Sequence, residues 1–209
     1  MVRTRPFEEH PLLYEDWFER NRFVYDSEVL AVRTQLPESG SSVEIGVGSG
    51  RFAAPLGIHM GLEPAAAMRA IARDRGIEVI AGVAEALPFK ECAFGLALMV
   101  TTICFLDNTE TALKEAYRVL RANGSLIIGL IDKNSPLGKA YLRHRHESAF
   151  YKVATFYSVD EVVNYLKKTG FQDFGFSQTI FRPLKEITAI EPVKEGYGEG
   201  SFVVIRARK

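Results

Sequence analysis

Three glycines spaced two apart, Gly46, Gly48 and Gly50, close the short apolar run Val43-Glu44-Ile45. Glycine carries no Cβ, so backbone N–H groups at a turn from strand to helix can come directly against a ligand. The same local geometry serves nicotinamide and flavin dinucleotides. A strict G-x-G-x-x-G counted from Gly46 fails at Arg51, whereas Gly48, Gly50 and Ala53 satisfy the variant ending in alanine, so a dinucleotide stays open at this step. Two carboxylates bear on the choice. Glu44, two residues before the first glycine, would repel a pyrophosphate and attract the ammonium of an amino-acid moiety, or else satisfy nearby backbone amides. Glu63 lies 19 positions later in Gly61-Leu62-Glu63-Pro64. From there a carboxylate can accept both hydroxyls of a ribose, with helix capping as the alternative.

The elements that must position these residues follow from hydrophobic periodicity. Short apolar runs at 43–45, 58–62, 77–81, 94–100 and 126–131, flanked by turn residues, read as buried parallel strands. Helices fit between most of them. Pro64 opens one that runs over 65–75 to a cap at Gly76, and another fits 110–120 before the turn residues Asn123-Gly124. Ahead of the first strand, 12–35 has helical spacing with a break at Asn21-Arg22, followed by a loop over 37–41. Ser158-Val-Asp-Glu161 reads as a capping box opening a helix that ends near Gly170. Residues 171–181 and 201–207 then read as two strands pairing antiparallel at the sheet edge. Strand–helix alternation of this kind implies α/β architecture, with helices on both faces of a mostly parallel sheet.

Four segments in order resemble successive motifs of Rossmann-like (class I) S-adenosylmethionine-dependent methyltransferases. They are Val43 to Gly50, Gly61 to Pro64, Gly82-Val-Ala-Glu-Ala-Leu-Pro-Phe89, and Glu115-Ala-Tyr-Arg-Val-Leu-Arg-Ala-Asn-Gly-Ser-Leu126 with the strand after it. The resemblance implies a seven-stranded sheet with a C-terminal antiparallel hairpin and S-adenosylmethionine as cofactor. It would run Gly46, Gly48 and Gly50 under the methionine part, with Glu44 nearby, and set Glu63 on the ribose. Ala84 would offer its N–H to adenine, Leu62, Pro64 and Leu87 would line the ring's pocket, and Thr101 would lie near the reacting sulfonium. Two positions depart from the family's common pattern. Val83 stands where an aspartate is usual, so adenine recognition falls to backbone groups or Glu85, and Phe94-Gly95 replaces the usual Phe-Asp.

The sulfonium of that cofactor is already activated, so a catalytic base is optional and the acceptor is hard to read from residue types. Two segments can cover the carboxyl ends of the strands: an N-terminal helical cover over 1–36, with Tyr14 and Trp17, and a helical insertion over 132–155, with Tyr141, Phe150 and Tyr151. Tyr14, His144 and His146 are the candidate catalytic groups, each also readable as ordinary packing or surface. Two histidines two apart on a helix face different sides, and no metal site is expected. The basic residues Lys133, Lys139, Arg143, Arg145 and Lys152 outnumber the acids of the insertion, which suggests an anionic small-molecule acceptor if the patch is functional.

Composition sets the outer limits. The chain's 209 residues, 47% apolar, suit one domain over 1–209. Its 26 basic and 26 acidic residues offer no general positive field, so nucleic acid is not the expected partner. Two cysteines, no signal-like start and no apolar run of membrane-spanning length point to a cytoplasmic protein. A non-catalytic S-adenosylmethionine or nucleotide-binding module and an NAD-dependent oxidoreductase remain as competing readings.

Overall fold

The computed structural model describes residues 3–37 and 40–209; within the loop expected at 37–41, Glu38 and Ser39 lie outside the described residues. The strands are β1 (Ser42–Ile45), β2 (Met60–Leu62), β3 (Glu78–Ile80), β4 (Phe94–Val100), β5 (Leu120–Ile131), β6 (Gln172–Thr179), β7 (Lys194–Glu195) and β8 (Phe202–Arg208). They form one sheet in the order β3-β2-β1-β4-β5-β8-β6-β7. The first five run parallel, and β8 enters antiparallel between β5 and β6. The two C-terminal strands therefore pair as expected, though β8 lies inside the sheet. The two-residue β7 adds an eighth strand outside β6.

Side-chain alternation along the strands feeds two cores, one on each face. Val43 and Ile45 of β1 and Ala97 and Met99 of β4 face one layer, which α6 (Thr109–Val119) and α8 (Val159–Thr169) cover with Leu113, Ala116 and Leu166. Leu96, Leu98 and Val100 face the other, covered by α3 (Arg22–Arg33), α4 (Ala53–Leu56) and α5 (Ala66–Asp74) through Val32, Ala53 and Ala72. Between these layers the strand ends present their loops to one rim, where ligands bind in open α/β sheets.

The helices α1 (Arg5–Glu9) and α2 (Pro11–Arg20) precede α3, and the chain breaks at Asn21 as expected. Helix α6 ends at Val119, because Leu120 already belongs to β5. That strand continues through Asn123-Gly124 with Asn123 at φ 62°, so the expected turn is absorbed as an irregularity in β5. The insertion holds α7 (Pro136–Arg143) and two 3₁₀ turns, Arg145–Glu147 and Tyr151–Val153.

The capping box of α8 is complete: Glu161 N–H donates to Ser158 Oγ at 3.2 Å, and Ser158 N–H donates to Glu161 Oε2 at 2.8 Å. Replacing Ser158 by alanine frees an orphan amide at the helix start. The expected loss is about 1 kcal/mol in urea denaturation.

Candidate cofactor and acceptor site

The glycine loop is shaped by β2. Its first two amides, Gly46 and Val47, both donate to the Leu62 carbonyl, at 2.8 and 3.0 Å. Gly46, Gly48 and Gly50 all take left-handed φ values, 72°, 55° and 85°. At Gly46 a Cβ would lie 2.4 Å from Thr102 Cγ2, so that position is closed to any side chain. At Gly48 a Cβ would lie 3.5 Å from Tyr14 Oη and fill the space between loop and ring.

Glu63 ends β2 and is 6% exposed. Its carboxylate accepts Gly48 N–H at 3.0 Å and Ala65 N–H at 2.8 Å, tying the loop to the start of α5. Burial pushes this carboxyl up to about 7 against the pull of those two amides. Glu44 is 1% exposed, and burial holds its carboxyl well above the usual range, opposed by the Ala53 N–H and reinforced by Glu63. Its Oε2 has no hydrogen-bond partner among the described residues. One oxygen thus does the backbone work that a purely structural acid would do, while the other stays uncommitted.

Thr101, at the end of β4, carries φ 52°, a rare conformation for a β-branched residue, held by its N–H to the Gly129 carbonyl at 2.8 Å. The next residue, Thr102, donates its hydroxyl to the Gly46 carbonyl at 3.2 Å. Leu62, Pro64, Ala84 and Glu85 join Gly46, Gly48, Glu63 and Thr101 around a cavity of about 90 Å³. Glu85 Oε1 accepts the amides of Asp107 and Asn108, at 2.9 and 3.1 Å, so this side chain holds the loop before α6. Leu87 is buried beneath the cavity and does not line it. Its N–H donates to Glu115 at 2.8 Å, and Arg118 binds both Glu115 and the Leu87 carbonyl. The third and fourth motifs are thereby fastened to each other. Ser41, through its carbonyl at 2.9 Å, takes the Gly95 N–H where the usual aspartate is missing.

A second cavity of about 410 Å³ adjoins the first, and Phe7, Tyr14, Thr101 and Phe105 line both. Its walls come from α2, the end of β4 and the insertion, as the sequence suggested for Tyr14, Trp17, Tyr141, Phe150 and Tyr151. Tyr14 joins the two cavities. Burial, then the charges of Glu44 and Glu63, hold its phenol far above the usual range, so it stays a protonated hydroxyl at neutral pH and does not serve as a base. His144 and His146 line neither cavity. Helix α7 ends at Arg143, and the turn that follows brings both imidazoles out to Glu147, at 3.1 and 3.5 Å, on exposed surface. None of the five basic residues of the insertion lines a cavity either. Lys133 pairs with Glu161 at 2.5 Å, and Arg145 donates to the carbonyls of Lys152 and Ala154.

Sequence reasoning missed three features. Helix α1 closes over the smaller cavity, with Glu8 accepting the amides of Ala66 and Ala67 at the start of α5. Arg51, at the failed third glycine position, binds Glu15 at 2.7 Å, and Arg75 binds the same carboxylate, which pins α2 to the glycine loop. Glu28 of α3 lines the larger cavity while only 4% exposed. Its signal was legible: an acid four residues after Val24 and four before Val32, on an otherwise apolar helix stripe.

A family profile described as a methyltransferase domain matches residues 43–128. An uncharacterized protein of Methanocaldococcus jannaschii is 43% identical over 203 residues, covering 97% of this chain and 98% of that one. A crystal structure from Thermotoga maritima, described as a SAM-dependent methyltransferase and possible histamine N-methyltransferase, superposes with TM-score 0.97 at 52% identity, covering 99% of each chain. A SAM-dependent methyltransferase from Archaeoglobus fulgidus shares the fold, with TM-score 0.72 at 14% identity over 96% of this chain and 100% of that one. The chain belongs to the Rossmann-like (class I) S-adenosylmethionine-dependent methyltransferase family, and its cofactor is S-adenosylmethionine. No helix among the described residues is long and apolar enough to cross a membrane.

Burial pushes the Glu28 carboxyl up to about 8, whereas the unfolded chain ionises it near 4.5. Between those values the folded state binds the extra proton, so stability falls as pH rises through the window. Urea denaturation from about pH 5 to 8 should show a shallower decline for Glu28→Gln than for the unaltered chain. Equal slopes would mean that Glu28 ionises freely in the fold.

Proposed function

We propose that this chain transfers the methyl group of S-adenosylmethionine directly to a small molecule held in the larger cavity. The observation that carries this reading is the meeting of two cavities at Tyr14 and Thr101, one walled by the glycine loop and Glu63, the other by aromatic rings. The first fits the cofactor on features of its own. A Cβ at Gly48 would enter the space between the loop and Tyr14, and Glu44 keeps a buried oxygen without a partner among the described residues. When bound, the cofactor supplies an activated methyl group on a sulfonium.

The chain's own residues account for the rest. Gly46 and Gly48 let the backbone approach the methionine part, whereas Gly50, expected beside them, lines neither cavity and instead makes room for Ile77 and for Ala72 of α5; Glu44 stands behind the loop for the ammonium, through the oxygen left free. Glu63, already oriented by two amides, accepts the ribose hydroxyls. Ala84 offers its N–H to adenine between Leu62 and Pro64; Leu87 supports that wall from beneath, and Glu85 supports it through the α6 loop. Thr101 and Tyr14 border the reacting end, where Phe7 and Phe105 exclude water. The cavity of about 90 Å³ is below the ~300–1,000 Å³ of ligand pockets, and an outward shift of α1 would enlarge it for an adenosyl group.

The larger cavity suits a small acceptor better than a nucleic acid, since its walls are apolar rings and the insertion's basic residues stay outside it. A methyl acceptor nitrogen is compatible with the Thermotoga relative's description as a possible histamine N-methyltransferase.

Calorimetric titration with S-adenosylmethionine, S-adenosylhomocysteine and NAD tests the cofactor half of this reading. Binding of the adenosyl sulfur ligands, with none of NAD, is expected, and a preference for NAD would overturn it. Glu63→Ala should weaken S-adenosylhomocysteine at least tenfold, about 1.4 kcal/mol or more; unchanged affinity would remove Glu63 from the ribose. Tight, salt-sensitive association with mixed RNA would overturn the small-molecule assignment. Cofactor binding without methylation of any component of a small-molecule extract would favour a sensing module.

A further inference from the structure

The larger cavity contains one feature that methyl transfer to an arbitrary small molecule does not require. Glu28 reaches it from α3 as a carboxyl group removed from solvent and still protonated at neutral pH, and among the described residues it has neither a hydrogen-bond partner nor an ion pair. A buried carboxylate left without a partner is costly, so such a group keeps its proton until a cation, a metal or amide donors meet it. None of these meets Glu28 from the protein. The cationic residue lining the same cavity, Arg20, is bound to Asp16 at 2.5 Å, and its side chain is mostly in solvent. The other charged lining residues, Asp16 and Glu147, are acids.

The groups around Glu28 are aromatic. Once ionised, it would face the hydroxyls of Tyr14, Tyr141 and Tyr151, all held above their usual range, chiefly by burial. Tyr141 is pushed up to about 12, so it stays a neutral phenol at physiological pH and adds no negative charge beside Glu28. The Tyr141 and Tyr151 rings lie 4.5 Å apart, and Tyr14 packs on Phe150 at 6.0 Å. Ring faces attract ammonium groups, and a desolvated carboxylate beside them adds a countercharge. An ammonium arriving among these rings would draw the Glu28 carboxyl into its ionised form and gain a buried counter-ion, which neither an anion nor a neutral alcohol would do.

We infer that the acceptor is a small amine bound as its ammonium, with Glu28 as its counter-ion and an apolar or aromatic body among Tyr14, Trp17, Tyr141 and Phe150. This inference rests on the methyltransferase reading and narrows its substrate class. It replaces the anionic acceptor suggested by the basic residues of the insertion, which lie outside the cavity. It also gives α3 a part in specificity, although none of the four sequence motifs includes it.

The full chain, with and without saturating S-adenosylhomocysteine, is titrated with three probes of one shape: 2-phenylethylamine, 2-phenylethanol and 3-phenylpropionate. The amine should bind at least tenfold more tightly than either of the others. Glu28→Gln should lose at least tenfold of the amine affinity and keep that for S-adenosylhomocysteine, which also reports that it is folded. Glu28→Asp, retaining the charge, should keep the preference for the amine. Comparable affinity for the alcohol or the carboxylate, no binding of the amine, or an undiminished amine affinity in Glu28→Gln would overturn the inference. Failure of the unaltered chain to bind S-adenosylhomocysteine would count against the methyltransferase reading instead, while amine selectivity measured without that ligand still decides the role of Glu28.

Discussion

The carboxylate of Glu63, accepting one amide from the glycine loop and one from the start of α5, is the constraint around which the site is arranged. A buried acid of this kind would be unfavourable alone. Two backbone donors offset part of that cost and, in doing so, set the distance between the loop and the helix that follows β2. The Leu62 carbonyl adds to this by taking the first two loop amides. The backbone that must approach a ligand closely is therefore fixed by the strand next to it in the sheet. A ribose arriving at Glu63 would meet a carboxylate whose orientation is already determined, which lowers the ordering cost of binding.

The cover over the site depends on the same loop. Arg51 follows its last glycine and binds Glu15 of α2, and Arg75 of α5 reaches both Glu15 and the Ser49 carbonyl. Helix α2 is thus anchored to the cofactor side while its other face builds the aromatic wall, where Tyr14 packs on Phe18 at 5.0 Å. The two cavities share a partition because one helix serves both. Helix α1 extends this arrangement: Glu8 caps α5, and Phe7 stacks edge-on to Phe105 at 4.9 Å beyond the end of β4. Phe7 of α1 lines both cavities, so displacing this helix would move a wall of each.

Much of this was legible in residue order. Short apolar runs between turn residues correspond to the parallel strands, because a strand buried on both faces tolerates little else. The box Ser158 to Glu161 marks the start of α8, a local arrangement within four residues. Gly46, Gly48 and Glu63 could be singled out because their chemistry depends on spacing along one strand–turn–helix unit. Extrapolation from local pattern failed where an element ended early or its place in the sheet mattered. His144 and His146 were assessed as helical neighbours, but α7 stops at Arg143. The spacing predicts β8 at the sheet edge, yet it lies between β5 and β6, because it pairs with β5 across about 70–80 positions of sequence as well as with the nearby β6.

The sequence by itself determined the α/β class and marked out the glycine loop with Glu44 and Glu63, because each arises from short-range periodicity or from residues within one supersecondary unit. Only the tertiary structure decided which side chains line the larger cavity. Glu28 sits on a helix stripe that reads as core, and whether an acid there is solvated, paired or alone in a cavity depends on segments far from it in sequence, Tyr141 and Tyr151 among them. Burial and unsatisfied charge are properties of packing, and packing brings together residues that residue order keeps far apart.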